Sequence, residues 1–192
     1  MNYLAHIFLS GNDEELMVGN FIADFVKGNK KNDYDITIRK GIELHREIDS
    51  FTDQHAITSV SKTRLYPKHH KYAGPIVDIF YDHFLAKNFS AFSEIPLEIF
   101  VANSYKTISS YTHILPTRVV EFLPFMIERN WLVNYATIEG IGRTLTGVGR
   151  RLSFQNMLNT ATEDLVESYS SFEEEFFQFF PQLINFTNSK RY

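Results

Sequence analysis

The chain of 192 residues contains no cysteine. Disulfide bonds, zinc sites built on thiolates and a cysteine nucleophile are therefore excluded. No run of about eighteen apolar residues occurs either, so we expect no membrane-spanning helix. The first residues carry no basic segment and no small-residue cleavage site, and they do not predict a secretory signal. This composition is compatible with a cytoplasmic protein, which is the location we expect.

An excess of positive charge is also absent. The formal net charge is -4, which argues against a general nucleic-acid binder. Between Asp53 and Asp78, however, the sequence has no carboxylate, and four basic residues fall in that interval. This basic stretch predicts a docking surface for an anionic partner, and a solvated loop rich in lysine is the alternative. Its members are Lys62, Arg64, Lys68 and Lys71.

Sequence motifs for nucleotide or serine-hydrolase chemistry are missing. The glycine-rich segment at 140–149, GIGRTLTGVG, lacks the lysine and the preceding strand of a phosphate-binding loop. No serine-centred elbow or dinucleotide fingerprint is present. Function must therefore be sought among acidic residues and histidines.

Apolar residues recur at helical spacing along nearly the whole chain, and no alternating strand pattern occurs. We predict one all-α domain, a helical bundle over residues 1–192. Asn12 or Asp13 is expected to cap the first predicted helix, Pro67 to end the third, and Pro75 to lie in the first turn of the fourth. The predicted helices cover about 13–27, 34–53, 56–66, 75–87, 95–110, 116–129, 137–148 and 157–179.

The second predicted helix carries three ionisable residues one turn apart. His45, Asp49 and Asp53 share one face because residues four apart are neighbours on a helix. Imidazole together with carboxylates suits a divalent cation such as Mn²⁺, Fe²⁺ or Zn²⁺. The alternative is a solvated face on which the carboxylates pair with Arg46 or Lys40.

The fourth predicted helix, PIVDIFYDHFLA, is apolar on nearly every side and should be buried. Asp78, Asp82 and His83 would then be costly to bury without a compensating cation. A metal ion meets that need, and an ion pair with Arg39 or Arg64 is the alternative.

Two further residues lie in similar apolar settings. Asp24, in GNFIADF, is by itself as well explained by a helix cap or a surface charge. His6, in NYLAHIF, is by itself more typical of a core histidine bonded to the backbone. Each becomes a candidate site residue only together with the ionisable residues of the second and fourth predicted helices.

At these residues the sequence resembles the acyl carrier protein phosphodiesterase family. The combination of GNxxADF, HRxID and DHFL in this order is specific, and the likeness spans nearly the whole chain. The segments that carry it are MNYLAH at 1–6, GNFIADFVKGN at 19–29, GIELHREIDSFTD at 41–53 and PIVDIFYDHFLA at 75–86.

The resemblance implies an all-helical fold related to the HD-domain phosphohydrolases and a dependence on manganese. It implies hydrolysis of the phosphodiester that joins 4′-phosphopantetheine to a serine of acyl carrier protein. The order Asp82-His83 reverses the His-Asp order of HD enzymes, so the ligand roles of those enzymes cannot be transferred directly. No nucleic-acid or membrane partner is expected, and the sequence leaves the oligomeric state open.

As a working hypothesis, the metal ligands are Asp24, His45, Asp78 and Asp82. Arg46 is predicted to contact a phosphate oxygen, as arginine does in bidentate phosphate binding. The proton of the leaving serine oxygen is assigned to His83 or Asp49. Because acyl carrier proteins are strongly acidic, the basic stretch is the predicted substrate-docking surface. Its residues are Lys62, Arg64, Lys68 and Lys71.

Two alternatives remain open at this point. A related phosphohydrolase acting on a nucleotide or another small phosphate ester would use the same metal without the basic stretch. In a non-catalytic helical binding module, the acidic residues of the second and fourth predicted helices would only form structural ion pairs.

Overall fold

The structure is a computed structural model that describes residues 1–151 and 157–191, and within them every regular element is helical. The predicted all-α class is confirmed. The α-helices are α1 Tyr3–Leu9, α2 Glu14–Ile22, α3 Ile36–Gln54, α4 Ala56–His69, α5 Ala73–Lys87, α6 Leu97–Ser110, α7 Thr117–Glu128, α8 Trp131–Asn134, α9 Ile138–Arg151, α10 Ala161–Glu167 and α11 Tyr169–Lys190.

Helix boundaries agree with several local signals. Asp13 caps α2 by accepting a hydrogen bond from the amide of Leu16 at 2.9 Å. Pro75 lies in the first turn of α5, where its missing amide hydrogen costs nothing. After Ile22 the chain tightens into a 3₁₀ turn over Ala23–Phe25, which carries Asp24.

Two prolines do not interrupt their helices. Helix α4 was predicted to stop before Pro67, but it continues to His69, and α7 continues through Pro124 without a split. The prediction was wrong because an internal proline removes one backbone hydrogen bond, and packing can offset that loss. Leu65 and His69 of α4 are both buried, and α4 packs against α5 and α11.

The C-terminal region holds two α-helices where one was predicted. Ser168 leaves the helical region between α10 and α11, with φ of −115° and ψ of 28°. Helix α11 then continues to Lys190, well beyond the predicted end at 179. Its apolar face fills the core with the buried rings of Phe172, Phe176, Phe179 and Phe180, whereas Phe177 is exposed.

Helix α5 lies at the centre of the packing, against α1, α4, α9 and α11. Eleven of its fifteen residues are buried, which confirms that its ionisable residues sit in an apolar setting. None of the helices in the described ranges combines the length and the apolar character needed to cross a bilayer.

Candidate metal centre

Helices α2 and α3 cross so closely that the contact requires two glycines. A Cβ atom at Gly19 would lie 2.0 Å from a backbone oxygen of α3, and one at Gly41 would lie 2.3 Å from a backbone oxygen of α2. Only a residue without a side chain permits this approach. The crossing places Asn20, which follows Gly19, beside His45, which lies one turn after Gly41.

The imidazole of His45 is held in one orientation. Its Nδ1 lies 2.9 Å from the carbonyl oxygen of Asn20, and because a carbonyl can only accept, Nδ1 carries a hydrogen. Nε2 then faces two carboxylates, at 3.2 Å from Oδ1 of Asp24 and 3.1 Å from Oδ2 of Asp49. A lone pair on Nε2 would point at negative charge, so this nitrogen needs either a proton or a cation.

A second imidazole lies against the first. The rings of His6 and His45 are stacked with their centroids 3.9 Å apart. His6 Nε2 lies 3.2 Å from Oδ1 of Asp49, but neither of its ring nitrogens has the alignment of a hydrogen bond. His6 is buried, so these nitrogens are shielded from bulk solvent.

Within residues 1–151 and 157–191, His6, His45 and Asp49 form a group that could hold a metal ion. One donor atom from each residue lies within 4.8 Å of the others. Two imidazoles and a carboxylate are a donor set for Mn²⁺, Fe²⁺ or Zn²⁺. We call His6, His45 and Asp49 the His-Asp cluster. Asp24 lies beside it, and because the side chain of Asp24 is 65% exposed, the cluster is accessible to solvent on this side.

The α-ammonium group of Met1 reaches the same cluster from the other side. Its nitrogen lies 3.3 Å from Oδ1 of Asp49 and 3.1 Å from Oδ1 of Asp78. Although burial disfavours the charged amine, these two carboxylates raise its pKa to about 10. Asp78 is therefore connected to the cluster by its contact with the Met1 amine, not by a contact with a histidine.

The two imidazoles have opposite electrostatic surroundings. Burial and the neighbouring His45 together lower the pKa of His6 to about 4. Burial also opposes the charged form of His45, but the carboxylates of Asp24 and Asp49 raise its pKa to about 9. Burial raises the pKa of Asp49, but the two imidazoles and the α-ammonium group of Met1 that face this carboxylate hold it far below its ordinary value. At neutral pH Asp24 and Asp49 are thus ionised, and His45 carries a proton on Nε2 in addition to the one on Nδ1.

Asp82, a predicted metal ligand, has its oxygens engaged elsewhere. They accept hydrogen bonds from the amides of Leu4 and Ala5 at 2.8 and 3.1 Å, at the start of α1. Burial raises the pKa of Asp82 to about 7, although both amides favour its ionised form. In the structure Asp82 fixes α1, and thereby His6, instead of joining the cluster.

His83, a predicted proton carrier, makes its hydrogen bonds with residues outside the cluster. Its Nδ1 lies 2.8 Å from the carbonyl oxygen of Tyr135, and its Nε2 lies 2.7 Å from the hydroxyl of Tyr169. Both nitrogens are therefore occupied in the packing of α5 against its neighbours. The structure does not bring His83 together with Asp49, the other predicted proton carrier.

Arg46 is exposed and follows His45 on α3. It donates a hydrogen bond from Nη2 to the carbonyl oxygen of Val26 at 3.2 Å. This contact uses one of the five guanidinium hydrogens, and the others are available in principle to a phosphate oxygen.

The predicted basic stretch is largely neutralised by carboxylates. Arg64 makes a two-point contact with Glu175, at 2.9 and 2.6 Å, and lies over the ring of Phe172. Lys68 pairs with Glu163 and Asp164, Lys62 contacts Asp53, and Lys71 lies over the ring of Tyr72. Helices α10 and α11 thus supply carboxylates that are absent from the sequence around the basic stretch.

A cleft of about 1090 Å³ opens beside the His-Asp cluster. Asp24 and Asp78 line its inner part, together with Met1. Its far wall is formed by α8 and α9, which contribute Trp131 and Arg143 among others. The cleft therefore borders the cluster through Asp24 and Met1, which contact its members, and through Asp78, which contacts the Met1 amine.

Sequence reasoning named His45, Asp49 and Asp24 but left His6 outside the site. The signal was present in MNYLAH, where His6 lies in a motif of the family likeness. The role of Asn20 had no local signal, because it acts through its backbone oxygen.

Comparison with known proteins gives a consistent picture. Residues 1–183 match the family described as acyl carrier protein phosphodiesterase. Proteins of that name from Klebsiella pneumoniae and Serratia proteamaculans are each 31% identical to this chain, over all of it and all of their own length. A third, from Photorhabdus laumondii, is 30% identical over 99% of this chain and 96% of its own. No solved structure matches. The chain belongs to the acyl carrier protein phosphodiesterase family.

Proposed function

We propose that this protein hydrolyses the phosphodiester between 4′-phosphopantetheine and a serine of acyl carrier protein. The products are apo-acyl carrier protein and free 4′-phosphopantetheine. The family match over residues 1–183 and the names of the full-length relatives support this reaction. The cytoplasmic location expected from the sequence belongs to the same proposal.

The convergence of His6, His45 and Asp49 is the observation that carries the proposal. His6 Nε2 is buried without a hydrogen bond, and His45 Nε2 points at carboxylates while its Nδ1 is fixed on a carbonyl. A buried imidazole nitrogen of His6 that has no hydrogen-bond partner and lies beside a carboxylate fits the role of a metal ligand. A purely structural histidine would instead have this nitrogen hydrogen-bonded within the protein.

We propose His6, His45 and Asp49 as the residues that hold a divalent cation, with Asp24 and Asp78 beside them. Mn²⁺ is our first candidate, and Fe²⁺ and Zn²⁺ accept the same donors. When bound, such a cation neutralises phosphate charge and lowers the pKa of a coordinated water. The kinship with HD-domain enzymes stays a prediction from the sequence.

Residues around the proposed metal site orient its ligands and the phosphate group. Asn20 fixes the ring of His45, so that Nε2 keeps one direction. Asp24 and Asp78 line the cleft. We propose that their carboxylate oxygens orient a water molecule by accepting its hydrogens. Arg46, one residue after His45, is proposed to steady a non-bridging phosphate oxygen with the hydrogens that Val26 leaves unused.

The direct test is release of 4′-phosphopantetheine from holo-acyl carrier protein, followed by mass spectrometry of the carrier. We expect release with Mn²⁺ and its loss in excess chelator, with recovery when Mn²⁺ is restored. Full activity in chelator would overturn the metal assignment. Turnover of nucleotides without turnover of the carrier would favour the small-ester alternative. A protein that neither binds metal nor releases the arm would be a binding module.

A further inference from the structure

The outer wall of the cleft carries four exposed arginines. Arg143, Arg150 and Arg151 belong to α9, and Arg129 follows α7 on the adjacent side. We call these four residues the arginine surface. It was not part of the basic stretch that the sequence indicated for docking.

The three arginines of α9 share a face. Residues 143, 147 and 151 follow one another at intervals of four, and residue 150 lies three after 147, so all four lie on one side of the helix. Between the arginines this side carries Gly147, where an added Cβ would have nothing within 4 Å. The protein itself therefore does not require a glycine there. Glycine inside a helix lowers stability relative to alanine. Because no residue of the protein itself requires the missing side chain at position 147, the glycine is consistent with close approach of a bound partner from the cleft.

The arginine surface keeps its charge available. None of the ion pairs between described residues involves Arg129, Arg143, Arg150 or Arg151. The basic stretch differs, since Arg64 and Lys68 are both paired with carboxylates. An acidic partner therefore meets less competition at the arginine surface.

We propose that the arginine surface docks the acidic carrier protein, with its modified serine directed into the cleft. This inference rests on the proposed function. The same cleft is lined by Asp24 and Asp78 at the His-Asp cluster, so a partner seated on α9 has its phosphodiester within the space that leads there. Exposed arginines facing an acidic protein increase the association rate and make binding sensitive to salt.

Binding of fluorescently labelled apo-carrier protein measures this docking without turnover, with chelator present throughout. In the R143E/R150E variant we expect the Kd to rise about tenfold or more at low salt, and its salt dependence to flatten. The K40E/K106E variant is the matched control, because both lysines are exposed, lie outside the cleft and change the charge equally. Circular dichroism confirms that each variant is folded.

Each outcome has a definite meaning. Unchanged binding in R143E/R150E, or an equal loss in K40E/K106E, would overturn the docking assignment. A larger loss in K62E/K68E than in the arginine variant would return docking to the basic stretch. If R143E/R150E lost affinity for inorganic phosphate but not for apo-carrier, the arginines would bind the phosphate group and not the protein. Wild-type protein that docks the carrier but never releases the arm would leave docking intact and overturn the proposed reaction.

Discussion

The carbonyl oxygen of Asn20 accepts a hydrogen bond from Nδ1 of His45 at 2.9 Å. The side-chain amide of the same residue donates to the carbonyl oxygen of His6 at 2.8 Å and to Ser10 Oγ at 3.0 Å. One buried asparagine thus links the imidazole of His45 to the backbone of His6. The backbone bond fixes the tautomer of His45, and the side-chain bonds fix the backbone that carries His6.

Replacing Asn20 by alanine should weaken metal binding without removing a ligand. We expect a 10- to 100-fold loss of Mn²⁺ affinity, the range typical of groups that support a ligand. The free energy of unfolding should fall by about 1–3 kcal/mol, because the carbonyl of His6 loses a buried donor. Calorimetry and chemical denaturation measure the two effects. Ser104→Ala is the control, because it removes a buried hydroxyl that donates to the carbonyl oxygen of Phe100 at 2.8 Å on α6, away from the cluster. An equal loss of Mn²⁺ affinity there would contradict the linking role of Asn20.

Asp49 and Asp53 lie one turn apart on α3, and only Asp49 contacts the imidazoles. Asp49→Asn should lower the rate of arm release by more than about 100-fold and abolish stoichiometric metal, since it removes a proposed ligand rather than a supporting group. Asp53 is 72% exposed and pairs with Lys62. Asp53→Asn is therefore the matched variant and should retain metal, as checked by elemental analysis of the purified proteins. Similar losses in both variants would argue against the His-Asp cluster.

Asp82→Asn separates structural from metal-binding carboxylates. Asparagine has one acceptor oxygen, so one of the amides of Leu4 and Ala5 would lose its partner. We expect the free energy of unfolding to drop by about 1–3 kcal/mol while the protein still binds Mn²⁺. Denaturant titration and metal analysis test the two halves of this expectation. Unchanged stability combined with lost metal would restore Asp82 as a ligand.

Metal binding should release a proton. The folded, metal-free protein holds the pKa of His45 at about 9, above the ordinary value of 6.5. This proton favours the folded state below pH 6.5, and the contribution is lost as the pH rises through 9. A cation must displace the proton, so Mn²⁺ affinity should rise by up to about tenfold per pH unit between 7 and 9. Calorimetry at pH 7.5 in two buffers of different ionisation enthalpy should show release of about one proton. Affinity that does not change with pH would contradict this coupling.

Gly147→Ala should stabilise the protein and weaken carrier binding together. Alanine is favoured over glycine inside a helix by about 0.5–1 kcal/mol, and the cleft has room for the methyl group. If the carrier approaches α9 closely, the same methyl group should raise the KM for holo-carrier protein. Gly74→Ala, in the first turn of α5 and outside the cleft lining, is the comparison. Greater stability with an unchanged KM would show that the bare position has no part in docking.

The helical class and the stripe of His45 and Asp49 follow from the sequence, because helical periodicity is a short-range property. Residues four apart share a face whatever surrounds the helix. The same reasoning named Asp24 through its apolar segment and the family motif. Pro67 shows where such local rules fail, since a single lost hydrogen bond is offset by packing that the segment itself does not contain.

The tertiary structure alone determined which polar groups meet. The two residues of the stacked His6–His45 pair are 39 positions apart in the sequence, and the glycine crossing of α2 and α3 aligns the element that fixes His45. Long-range packing likewise places Asp82 against the amides at the start of α1 and pairs Arg64 with Glu175. Among the described residues it leaves the arginines of α9 without carboxylate partners. Charge and periodicity along a chain indicate what each segment can do. Which charges cancel and which stay available for a ligand depends on contacts between segments that only the fold brings together.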